Sequence, residues 1–156
     1  MRLMTLALVA LLAACAPDDA APPASPAPVA GVPAGALEVS AAWVRQVPPA
    51  ARMTAGYLQL RNTGTEPAVL VGAESPLFNA VEIHGTVTVD GMARMRQQES
   101  VTIPPGETVS FEPGGLHLML MQAVEGIPAE GEIPLRLILA DGDRIEVIAP
   151  VGRPAD

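Results

Sequence analysis

From Val81 to Val89 the chain reads VEIHGTVTV, with apolar residues or glycine at the odd positions and polar residues at the even ones. A two-residue period of this kind marks a strand with one face on a core and the other in water. Leu116 to Met121 keeps the period but has an unusual second face. Leu116, Leu118 and Leu120 share the inward side, while His117, Met119 and Met121 share the other. Similar runs predict strands near Leu37–Arg45, Ala55–Asn62, Ala68–Ala73, Ala80–Val89, Met92–Gln97, Glu107–Phe111, Leu116–Met121, Ile133–Ala140 and Arg144–Ala149. Turn signals separate them, among them Asn62-Thr63-Gly64, Asp90-Gly91, Pro104-Pro105-Gly106, Pro113-Gly114-Gly115 and Asp141-Gly142. No segment sustains a helical period and no internal repeat is visible, so the fold class is all-β, a sandwich or barrel. With one Trp, one Tyr and two Phe, the core must rest on Val, Leu, Ile and Ala. Trp43, Phe78 and Phe111 are expected as its larger pieces.

The two ends depart from this pattern. Arg2, the apolar run Leu3 to Leu12 and the small residues Ala13 and Ala14 have the layout of a secretory signal over residues 1–14. The run is short for a bilayer span. Leu12-Ala13-Ala14-Cys15 also resembles a bacterial lipobox, in which cleavage precedes a cysteine that receives a diacylglyceryl group. Cys15 is then a lipid attachment point; the alternative is a secreted protein with an unrelated cysteine. Residues 15–36, rich in alanine and proline, make a spacer that cannot bury enough surface to fold. A single domain is expected over 37–151, followed by a short tail, 152–156. The implied location is the periplasmic or cell-envelope face, held to a membrane by lipid.

Composition then removes several functions. The net charge is −8, lysine is absent and no basic cluster appears, which argues against nucleic acid and against a polybasic membrane patch. Cys15 is the only cysteine, so the domain has neither disulfide nor thiolate ligand, and thiol–disulfide chemistry is excluded. No nucleophile, base and orienting group fall into a recognisable arrangement, so an enzyme is not expected.

The remaining chemistry lies in imidazole and thioether. Asp90-Gly91 is a favoured two-residue hairpin turn, and such a turn pairs Val89 with Met92 and His84 with Gln97. Met95 then stands diagonal to His84 on one face, at a backbone separation of roughly 7–8 Å that long side chains span. The same register puts Arg94 and Arg96 on the face of Val87, which requires either an edge strand or a bulge. His117 and Met119, about 7 Å apart along one strand face, also point one way. His84, Met95, His117 and Met119 together offer two nitrogens and two soft, uncharged sulfurs, a set that suits Cu(I) over Zn, Mg, Ca or Mn. Blue-copper electron transfer needs a thiolate and is disfavoured. Met121 is read as packing or a supporting contact, and Met92 and Met53 as gap fillers.

These four residues read H-x10-M-x21-H-x-M, and the chain resembles the PCuAC family of periplasmic copper chaperones. The likeness extends to Ala42-Trp43-Val44-Arg45, Thr54-Ala55-Gly56-Tyr57-Leu58, Arg61-Asn62, Val81-Glu82-Ile83-His84, Met92-Ala93-Arg94-Met95-Arg96 and Pro113 to Met121. The resemblance implies a cupredoxin-like Greek-key β-barrel or sandwich with one Cu(I) per domain, held by His84, Met95, His117 and Met119. It also implies delivery of copper to the CuA site of cytochrome c oxidase subunit II, with Sco-type thiol proteins as co-workers. Copper buffering or resistance, and a lipid-anchored protein-binding module, are the competing functions. Some relatives carry His/Met-rich tails for extra copper; residues 151–156 and the spacer contain neither residue, which argues against a second site of that kind. A lipid anchor departs from the freely soluble form associated with that family.

Overall fold

The structure, a computed structural model, describes residues 36–152 apart from Pro49 and Asp90. The expected signal, Cys15, nearly all of the spacer and the tail from residue 153 lie outside the described residues. So does Asp90 of the predicted turn.

Ten strands form the domain: β1 (Leu37–Arg45), β2 (Met53–Asn62), β3 (Ala68–Glu74), β4 (Phe78–Val89), β5 (Met92–Gln97), β6 (Val101–Ile103), β7 (Thr108–Phe111), β8 (Leu116–Ala123), β9 (Glu132–Leu139) and β10 (Arg144–Gly152). Nine match the expected runs. The three-residue β6 was not expected, because Val101-Thr102-Ile103 is too short to show a period before Pro104-Pro105 ends it.

Neighbouring strands follow the order β5-β4-β8-β7-β2-β1-β10-β9-β3-β6, with β8 also pairing β2. One layer runs from β5 to β1 and the other from β10 to β6. They are joined where β1 lies parallel to β10, at Val44↔Val151 and Arg45↔Gly152. This is the all-β, cupredoxin-like architecture expected. β2 is shared along its length, its second half pairing β7 and its first half β8. That division brings β8 alongside both β2 and β4.

Between the layers, Leu58, Leu60, Leu70, Ile83, Leu118, Leu120, Ile133 and Leu137 are almost wholly buried. Phe78 and Phe111 join this cluster. Trp43 does not. The pairing of β1 with β2 shifts register between Ser40 and Trp43, and Ala41 takes a left-handed φ of 49° there. A bulge of this kind switches which parity faces the core, so Leu37 points inward before it and Val44 after it. Trp43 is left on the outer surface, stacked on Tyr57 with ring centroids 4.4 Å apart. Elsewhere on the surface, the Arg136 guanidinium ties β9 to Glu74 of β3 and Glu146 of β10. The hydrogen bonds it donates to Glu146 and then Glu74 hold its pKa above the usual arginine value.

The β4–β5 register is the one the turn predicts, with Val89 opposite Met92 and His84 opposite Gln97. β5 is the outermost strand and exposed along its whole length. Arg94 and Arg96 therefore sit on an edge, where arginine keeps its charge in water, and no bulge is needed.

Candidate metal centre

The outer face of the β4–β8–β2 region is laid out by strand pairing. His84 lies opposite His117, and Glu82 opposite Met119. Across the other edge of β8, Ala55 faces Met119. On β5, Met95 stands opposite Thr86, one strand step from His84. The odd positions of β8 point outward because its leucines are drawn into the core, with Leu118 and Leu120 at 0 % exposure. The two histidine rings are 5.9 Å apart between centroids. His117, Met119 and Met95 line one open hollow of about 310 Å³ together with Arg45, Met53, Tyr57 and Thr86. Three of the four side chains expected from sequence to act together thus share one hollow, and the fourth, His84, lies beside it against His117.

Trp43, Tyr57, His117 and His84 form a row of rings across β1, β2, β8 and β4. Tyr57 and His117 are 6.5 Å apart between centroids. Arg45 caps Tyr57 with its guanidinium carbon 5.5 Å from the ring centroid, a cation–π distance. The row explains why His117 is only 6 % exposed although it lies on an outward face. The polar face of β8 is thus less open than the alternation suggests. Met95 is at the other extreme, 60 % exposed on the edge strand.

Each histidine has one nitrogen already engaged. His84 Nε2 lies 2.9 Å from Glu82 Oε2. An ionised carboxylate only accepts, so Nε2–H donates and Nδ1 keeps the lone pair. That Nδ1 is buried and has no hydrogen-bond partner. Buried polar atoms are seldom left so, and an imidazole nitrogen facing nothing polar is what a bound metal would satisfy. His117 Nδ1 lies 3.1 Å from the Gly115 carbonyl, which also only accepts, so Nδ1 donates and Nε2 is the lone-pair nitrogen. Hydrogen bonds of this sort orient ligand imidazoles in metal proteins and raise their basicity. No group of three or more His, Cys, Asp or Glu among the described residues is placed to hold a metal. The thioethers of Met95 and Met119 beside the histidines are donors of a kind that suits a soft cation.

Two contributors were not singled out from sequence. Glu82 was placed on the face of His84 but given no role; its position two residues away on one strand was the available signal. Tyr57 lies in no local pattern with either histidine. For Glu82 we expect Glu82→Ala to weaken Cu(I) binding by about 10- to 100-fold, the usual cost of losing a partner behind a ligand histidine. Glu82→Gln keeps an accepting oxygen and should lose less. A competition assay against a Cu(I) chelator measures both, and equal affinities for wild type and Glu82→Ala would remove Glu82 from the site.

Comparison with known proteins identifies the relatives of this chain and of its fold. A family model described as "LpqE-like: Putative lipoprotein LpqE-like" matches residues 37–151. A protein of Leifsonia xyli subsp. xyli described as "Putative lipoprotein Lxx21020" is 36 % identical over 122 residues, covering 78 % of this chain and 72 % of its own length. The solution structure of CuI-DR1885 from Deinococcus radiodurans is 34 % identical with a TM-score of 0.61, covering 79 % of this chain and 84 % of that one. The copper-bound PCuAC domain from PmoF2 has a TM-score of 0.63 at 21 % identity, covering 77 % and 95 % of the two chains, and shares the fold.

Proposed function

The chain belongs to the LpqE-like family, and from that premise we propose that it is an extracytoplasmic Cu(I) carrier with His84, His117, Met119 and Met95 as ligands. The observation that carries this reading is that His117, Met119 and Met95 line one hollow while the His84 ring, whose buried Nδ1 has no partner, lies 5.9 Å from the His117 ring. Neutral nitrogen and sulfur donors without a thiolate suit Cu(I) and give little hold on harder cations. The resemblance to a DR1885 form solved with Cu(I) supports the same cargo. The protein carries this ion and catalyses no reaction.

Release follows from the gradient of exposure. Met95 is open to an incoming acceptor, whereas His117 is covered by its ring neighbours. An acceptor ligand replaces Met95 first, and copper then passes through an intermediate held by both proteins. The acceptor is the CuA site of cytochrome c oxidase subunit II, with a Sco-type thiol protein as co-worker. The lipoprotein descriptions of the family and of the Leifsonia relative support a lipid on Cys15, a signal over residues 1–14 and a tether over 15–36 at the periplasmic or envelope face.

Anaerobic titration with Cu(I) against a competing chelator should show a first, tight equivalent. Transfer to an apo CuA domain should speed up as acceptor concentration rises; a rate independent of acceptor would contradict a shared intermediate. Deleting the gene should lower oxidase activity in a way that added copper restores. Copper sensitivity with intact respiration would instead mean sequestration, and no Cu(I) binding at all would leave a protein-binding module.

A further inference from the structure

Methionine is a flexible apolar residue that usually fills irregular gaps inside proteins. Here the buried core of the described residues contains none: Met53, Met92, Met95, Met119 and Met121 all lie outside it. Met53 and Met92 are 53 % and 55 % exposed, so neither fills a gap in the core as the sequence suggested.

Three of these thioethers share a corner of the outer face beside the histidines. Met53 of β2 is directly opposite Met121 of β8, and Ala55 is directly opposite Met119. Directly opposed residues in an antiparallel pair project from the same face, with Cβ atoms about 4.5–5.5 Å apart, and diagonal neighbours remain within reach of long side chains. Met53 is therefore a cross-strand partner of Met121 and a diagonal neighbour of Met119. The methyl of Ala55 is too short to close the space between them, and Met53 and Met119 line the same hollow. On the far side of Met121, β4 supplies only Ala80.

We infer that Met53 and Met121, with Met119 shared, form a second, histidine-free station for Cu(I). The inference rests on the Cu(I) reading of the neighbouring site. Three neutral sulfurs bind a soft monovalent cation and offer a hard one nothing. Lacking imidazole, the station holds its ion more weakly than the histidine site. Because Met119 belongs to both, an ion moves from one to the other without leaving the protein. Met53 and Met95 then stand on opposite sides of the hollow, one as a receiving thioether on β2 and the other as a releasing one on β5.

The test is a titration of the full chain, 13C-labelled at its methionine methyls, with Ag(I) as a redox-inert stand-in for Cu(I). The first equivalent should shift the Met95 and Met119 methyls and the ring signals of His84 and His117. The second should shift Met53 and Met121. In a Met53→Leu/Met121→Leu variant, which keeps side-chain bulk, the second event should be lost. In a His84→Ala/His117→Ala variant the Met53 and Met121 methyls should still respond. Methyls of Met53 and Met121 that stay unmoved at every ratio, or a second event surviving the double leucine variant, overturn the station. Unmoved histidine rings beside responding Met53 and Met121 would fault the histidine site and leave the station standing.

Discussion

Replacing His117 with alanine should lower Cu(I) affinity by on the order of 100-fold or more, since losing even an outer partner of a ligand costs about 10- to 100-fold. The ring lies between Tyr57 and His84, and its tautomer is set by the Gly115 carbonyl. The ring is thus already fixed in place, and as the proposed ligand it has little ordering left to undergo on binding. Met119→Ala should cost less, because Met53 and Met121 stand close enough on the same face to offer a replacement sulfur. Chelator competition on both variants gives the ranking. Since His117 is buried, a thermal melt must accompany the measurement. His117→Met, which keeps a soft donor and similar bulk, should recover part of the affinity and His117→Leu, which keeps bulk alone, should not; equal recovery in both would assign the loss to packing. A His117→Ala protein that binds Cu(I) as the wild type does would remove this residue from the ligand set.

Asn62→Leu should destabilise the fold by about 3 kcal/mol or more. Asn62 has 0 % exposure at the end of β2. Its Nδ2 donates to the carbonyls of Glu66 at 2.7 Å and Ile103 at 2.9 Å, and its Oδ1 accepts from Gly64 N at 2.9 Å. One side chain therefore closes the loop after β2 and joins it to β6 in the opposite layer. Leucine matches the volume but leaves these groups without partners, at roughly 1–3 kcal/mol for each that stays buried. Denaturant unfolding would show the loss as a lower midpoint at unchanged slope. Copper affinity in the surviving folded fraction should be unaltered, because Asn62 lies at the end of β2 away from Met53 and Ala55. A midpoint shift below about 1 kcal/mol would mean that water replaces the lost contacts.

Asn62 also marks where local reading stops. As part of Asn62-Thr63-Gly64 it is a turn signal, and the turn is present. Its bond to Ile103 joins residues far apart in the chain, and no neighbouring residue announces it. β6 was missed for a related reason, since its three residues pair with Ala68 to Leu70 and carry no period of their own. The bulge at Ala41 hid the outward placement of Trp43, because unbroken alternation from the buried Leu37 would carry Trp43 to the core face.

The hairpin shows the opposite case. Asp90-Gly91 as a turn signal predicts the β4–β5 register, and with it the position of Met95 relative to His84, because a two-residue turn leaves one register open to the strands it joins, and that register is the one observed. Alternation likewise told which face His84, His117, Met119 and Met121 occupy, since strand geometry is a property of adjacent residues. Which strands then lie side by side was settled by the packing of one common core. That packing put His84 against His117, brought β2 beside β8, and set Met53 near Met119. Glu82 was legible as a neighbour of His84, but its role became clear once burial had left Nδ1 alone. A period of two names a face; it does not name the neighbour across the sheet, and metal chemistry depends on neighbours.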